Sequence, residues 1–201
     1  MGRYSSDKGG FENPPLGNHL GICYRITDMG LQPESPKFPG SGPQDKIMLS
    51  FELPNEKMED GRPFVCSRIL TNSLNEKSNL RAWLVAWRGK DFSKEELEKF
   101  DLQNILGKPC MVSIVEKDGR VGIGSVAAVP RGMTVPALTN DKFAFWIDEW
   151  NQANFEKLSE KIRAMIERSA EFAERKRKLS HPDDDIPDMG TGPVDDDETV
   201  F

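Results

Sequence analysis

Eight carboxylates crowd the last twenty residues, Pro182 to Phe201: Asp183, Asp184, Asp185, Asp188, Asp195, Asp196, Asp197 and Glu198. No Lys or Arg lies among them, and the sequence closes on a phenylalanine. At this density carboxylates present the charge of a polyanion, so they compete for any cationic surface that binds one. A solubilising tail is the plainer reading. Phe201 weighs against it, because solubility gives no reason for a large apolar side chain beside a free carboxylate. The whole sequence carries 27 Lys+Arg against 33 Asp+Glu, a net −6; without those eight acids the same 27 face 25, a balance of +2. A mildly basic body joined to a polyanionic string suggests a body that binds a polyanion and a tail that imitates one.

Other chemistry is thinly supplied. There is no Gly-rich phosphate loop, no nucleophile elbow and no acid cluster at metal-binding spacing. The only histidines are His19 and His181. Cys23, Cys66 and Cys110 lie far apart in apolar runs, which suits small core residues of a reducing compartment rather than zinc ligands. Glu95, Glu96 and Glu98 open a helix, where carboxylates favour the dipole. We therefore expect a binder rather than an enzyme, with no metal or cofactor.

Binding a flexible polyanion such as a single nucleic-acid strand takes cations for phosphates and ring faces for bases. Outward strand positions supply Arg25, Lys46 and Arg68, and strand ends supply Arg62, Lys108, Lys117, Arg120 and Arg131. Phe64 follows Arg62-Pro63 and shares the parity of Cys66 and Arg68, so it is a candidate for stacking, with core packing as the alternative. Phe38, in a long loop, is a second candidate. Tyr24, Phe51, Trp83 and Trp87 repeat with apolar neighbours and read as core.

These residues need elements to hold them. Residues 1–16 read as a flexible Gly/Ser/Pro-rich arm. His19–Thr27 alternates, with Leu20, Ile22, Tyr24 and Ile26 on one face and Cys23, Arg25 and Thr27 on the other. A Pro- and Gly-rich loop separates it from Lys46–Leu53, with Ile47, Leu49, Phe51 and Leu53 inward and Lys46, Met48, Ser50 and Glu52 outward. Phe64–Leu70 is a third strand. Leu80, Trp83, Leu84 and Trp87 then recur at helical spacing up to Gly89, and Ser93 with Glu96 forms a capping box for a helix over Lys94–Phe100. Cys110–Val115 and Val121–Val129 are joined by the hairpin turn Lys117-Asp118-Gly119-Arg120. After an aromatic link, Phe155, Leu158, Ile162, Met165, Ile166 and Phe172 line one long helix, Asn154–Leu179. Packing against the strands is the first reading of that stripe, and self-association as a homodimer the second. Arg175-Lys176-Arg177-Lys178 closes the helix and could receive the acidic tail.

Three strands, a helical insert and two strands give a mainly β (α+β) class. They follow the order of an OB-fold-like, five-stranded Greek-key barrel with its helix between strands 3 and 4. The expected organisation is an arm (1–16), a barrel (17–133), an aromatic link with an amphipathic helix (134–180) and a disordered acidic tail (181–201). No apolar run approaches a membrane span and no signal segment follows Met1, so a cytoplasmic protein is expected.

Several blocks resemble single-stranded DNA-binding proteins of tailed bacteriophages: Leu20-Gly-Ile-Cys-Tyr-Arg-Ile-Thr-Asp-Met-Gly, Phe51-Glu-Leu-Pro, Asp60-Gly-Arg-Pro-Phe, Glu76-Lys-Ser-Asn-Leu-Arg, Ala86-Trp-Arg-Gly and Leu106-Gly-Lys-Pro-Cys. Together they cover about residues 12–133. The tail resembles the acidic tips of such proteins, which recruit replication and repair partners. Asp183-Asp-Asp-Ile-Pro is similar to the bacterial tip but has Asp188 where that tip ends in phenylalanine, and Asp195, Asp196, Asp197, Glu198 and Phe201 look more like the phage arrangement. The resemblance implies a sequence-tolerant coat for single-stranded DNA in replication or recombination, acting in a bacterial host's cytoplasm. Two other readings stay open, a protein–protein adaptor and an RNA-binding barrel. The outward basic set separates the first of these, since an adaptor does not need it.

Overall fold

The computed structural model describes residues 12–36 and 39–180. Six strands form one sheet: β1 (Gly17–Gln32), β2 (Gln44–Lys57), β3 (Pro63–Thr71), β4 (Pro109–Lys117), β5 (Arg120–Ala127) and β6 (Phe143–Phe145). Their order is β3-β2-β1-β4-β5 with antiparallel neighbours, and β6 runs parallel beside β1. Helices α1 (Asn79–Arg88) and α2 (Lys94–Glu98) and a 3-10 helix (Leu102–Ile105) connect β3 to β4. Helices α3 (Gln152–Glu156), α4 (Glu160–Ile166) and α5 (Ala170–Ser180) follow β6. The class is α+β, dominated by antiparallel sheet.

The central strand β1 is longer than its alternating run. Gly17–Ile22 pairs with β4, and the remainder pairs with β2 across a register shift between Cys23 and Arg25. A bulge adds one residue and so reverses which face each later side chain takes. Cys23 and Ile26, assigned to opposite faces by simple alternation, therefore share the main core. Leu20, Ile22 and Tyr24 are buried as well, so β1 is covered on both sides rather than half-exposed.

The main core joins Ile47, Leu49, Phe51 and Leu53 of β2 to Leu80, Trp83, Leu84 and Trp87 of α1. The Phe51 ring centroid lies 5.5 Å from that of Trp87, whose Nε1–H donates to the Pro109 carbonyl at 2.7 Å. Helix α1 begins where the Ser78 hydroxyl accepts the Leu80 amide and stops at Gly89, which takes a left-handed φ of 69°. Ser93 and Glu96 make both bonds of the capping box that starts α2. The β4–β5 turn needs left-handed backbone at two successive residues, and Asp118 (φ 52°) and Gly119 (φ 69°) provide it.

A second apolar cluster covers the opposite side of β1 and β2. Met29 and Met48 pack there with Phe145, Ile147, Phe155, Leu158 and Ile166. The single helix expected over Asn154–Leu179 is three short ones. Its breaks fall at Ser159, which starts α4, and at Ser169, whose hydroxyl accepts the Phe172 amide at 3.2 Å. The Ser169 hydroxyl competes with the helical ladder in this way, whereas Ser159 caps α4 without a side-chain bond, and the breaks let the stripe follow the sheet. Phe155, Leu158 and Ile166 are buried in it, with Ile162, Met165 and Phe172 packed alongside. Backbone contact is close at Gly30: a Cβ there would lie 2.6 Å from a Glu171 oxygen, and that carboxylate accepts the Leu31 amide at 2.9 Å.

Candidate nucleic-acid interface

The structure brings three of the expected cations together. Lys117 and Arg120 face each other across the β4–β5 turn, and both are exposed. Arg68, on β3, reaches over to β5 and donates from Nη1 to the Ile123 carbonyl at 3.3 Å. Ile123 is three residues from Arg120, about 10 Å along a strand. Arg68 has the core-facing parity of Phe64 and Leu70 yet is exposed, its guanidinium meeting the backbone of β5 instead of entering the core. None of the three has an ion-pair partner among the described residues.

The other expected contacts are scattered. Arg25 is half-buried beside β6, donating to the Tyr24 hydroxyl at 2.7 Å with its guanidinium 5.2 Å from that ring. Lys46 ties β2 to β3 through bonds from Nζ to Gln44 (2.5 Å) and Thr71 (2.9 Å), and burial lowers its pKa. Arg62 is exposed at the β2–β3 turn but paired to Asp60 at 2.6 Å. Lys108 and Arg131 are exposed at strand ends, away from the trio. Lys142 was not visible as a companion of Lys108 in sequence. Its stem lies 2.8 Å from where a Cβ on the adjacent Gly107 would stand, a proximity made by the return of the chain into β6.

Phe64 is not a surface ring. It is 5% exposed in the main core, opposite Leu53, so it presents no face to a base. The β3 residues that do face outward are Val65 and Ile69, 40% and 37% exposed, flanking Ser67. Strand alternation alone places these two residues on the outer face, but neither carries an aromatic ring. Among the described residues every aromatic side chain is buried or half-buried. Phe38, and the tail residues Asp195, Asp196, Asp197, Glu198 and Phe201, lie outside the described residues.

The outward positions of β2 are covered too. Met48 enters the second cluster, and Ser50 receives the Ser67 hydroxyl at 2.8 Å. Glu52, with no exposed surface, accepts the Thr139 amide (2.9 Å), the Asn140 amide (2.8 Å) and the Asn140 side chain (2.6 Å). The carboxylate thus anchors the segment leading into β6, and Asp28 repeats the device by accepting the Ile147 amide at 3.2 Å. Burial pushes the thiols of Cys23 and Cys66 up to about 12, which leaves them protonated and unreactive. Among the described residues no group of three His, Cys, Asp or Glu side chains could hold a metal ion, and no helix is long and apolar enough to cross a membrane. No protein-family model matches the chain, and no curated protein matches it.

Proposed function

We propose that the protein binds single-stranded DNA, using the edge where the β4–β5 turn meets β3. The supporting observation is the trio Arg68, Lys117 and Arg120, three exposed cations with no ion-pair partner among the described residues, two of them at the β4–β5 turn and the third reaching β5 three residues from it. The strand order, with α1 inserted between β3 and β4 and Arg68 spanning β3 to β5, agrees with an OB-type barrel. In that fold the face of strands 2 and 3 and the loops joining strands 1–2 and 4–5 take up oligonucleotides. Phe38, in the loop between β1 and β2, would then supply the stacking surface that the described rings do not. The acidic segment 181–201 would recruit replication or recombination partners. In this reading the protein coats single strands during phage replication or recombination.

A mobility shift with oligo-dT and with a matching duplex tests the reading. We expect the single strand to shift first, and Arg68→Gln/Lys117→Gln/Arg120→Gln to weaken binding and flatten its log–log salt slope by about 2, at −0.7 per phosphate. Equal affinity of this triple variant would remove the trio from the interface. The adaptor reading is favoured by one feature, the exposed pair Val65 and Ile69 on β3. A protein inert toward oligo-dT would turn attention to that strip.

A further inference from the structure

Helix α5 leaves an apolar groove beside it, about 630 Å³ in volume, with Trp150 and Phe172 in its floor and Leu179 on its wall. Leu179 is 71% exposed, the most exposed large apolar side chain among the described residues. The groove is basic at its rim, where Lys176 and Arg175 stand, and Glu167 is its one acid. The Arg175 guanidinium lies 4.7 Å from the Trp150 ring centroid. A neighbouring hollow shares Arg175 and Leu179 with it and adds Lys178, but its three acids, Asp148, Glu171 and Glu174, make it the more negative of the two. An aromatic residue flanked by acids fits the groove, with two cations against one acid, better than the hollow, with two cations against three acids.

Such a peptide follows α5 in the same chain. Asp195-Asp-Asp-Glu-Thr-Val-Phe201 lies within twenty-one residues of Ser180. Twenty-one residues reach up to about 70 Å when extended, while α5 is only about 16 Å long. The span therefore permits folding back, and loop-closure cost rises only slowly with length. We propose that the groove between α5 and Trp150 is the docking site of this chain's own acidic segment, with the Phe201 ring between Trp150, Phe172 and Leu179 and the acids against Lys176 and Arg175. Docked there, Phe201 is withheld from other proteins, and a partner must displace it. The inference is independent of strand binding, since it concerns a different surface and a contact within the chain.

The test uses the full chain with 15N label and no nucleic acid. Trp150 is the reporter because its indole N–H, donating to Gln152 at 3.3 Å, borders the groove. Phe201→Ala should move the Trp150 indole resonance and leave those of Trp83, Trp87 and Trp146 in place. Leu179→Ser should abolish the response, so that adding Phe201→Ala to it produces no further movement. Hundredfold dilution of the unaltered chain should change nothing. A Trp150 resonance indifferent to Phe201→Ala would overturn the proposal. A wild-type resonance that drifts on dilution toward the Phe201→Ala position would overturn it as well, by giving the groove to the tail of a second copy.

Discussion

At Glu52 a carboxylate with no exposed surface accepts three hydrogen bonds, all from residues more than eighty positions away in sequence. Burial pushes its carboxyl up, but the Thr139 and Asn140 donors outweigh that and hold it below the usual range. A lowered folded-state pKa gives stability that is present above the unfolded value of about 4.3 and is lost as pH falls through the folded one. Asp28 has the opposite sign. Its pKa is raised, by burial first and then by Asp45 and Asp148 against two backbone donors, so its favourable contribution is lost as pH rises through that value. Glu52→Gln leaves Asp28 in place. We expect it to be less stable than wild type by about 1–3 kcal/mol near neutrality, the cost of buried donors losing a charged acceptor. That gap should narrow as pH falls below the ordinary carboxylate range and wild-type Glu52 protonates, and a pH-independent gap in urea unfolding would contradict the assignment. Phe64→Ala should cost about 3–5 kcal/mol of stability as a core truncation, with oligonucleotide affinity retained in the folded fraction. Its parity was readable from the strand; whether that parity faced core or groove was not, because both faces of a strand look alike until something covers one.

Among the elements, local signals carried the parts of the fold that local chemistry decides. Helix α1, its Gly89 stop, the Ser93–Glu96 box and the Asp118-Gly119 turn each depend on residues a few positions apart. The bulge in β1 and the strand β6 depend on pairing partners far along the chain, so alternation alone misassigned Cys23 and Ile26 and gave no sign of β6. The apolar stripe from Phe155 to Phe172 was legible as one face, but its break at Ser169 answers to the sheet it wraps. If that layer is held chiefly by Phe145, then Phe145→Ala should cost about 3–5 kcal/mol. Hydrogen exchange should show faster opening across residues 143–180 while α1 and β4 keep their protection. Uniform loss of protection would instead make the two apolar clusters one cooperative unit.

For the whole molecule, charge is the property that connects body and tail. Deleting Pro182–Phe201 moves the balance from −6 to +2. Whenever it leaves the α5 groove, the tethered polyanion competes for the strand-binding cations at high effective concentration, so the truncated protein should bind oligo-dT more tightly, most at low salt where screening is weakest. Unchanged affinity at low salt would show that the eight acids do not contend for the same cations. The charge asymmetry was plain in the sequence; the clustering of Arg68 with Lys117 and Arg120 was not, since it needs β3 and β5 to meet at an edge. The most direct measurement is oligo-dT affinity of the full chain against salt concentration, with a matched duplex as competitor. We expect single-strand preference, indifference to base sequence, and an affinity falling with salt at about −0.7 per neutralised phosphate. A duplex preference, or binding that salt does not weaken, would contradict single-strand binding.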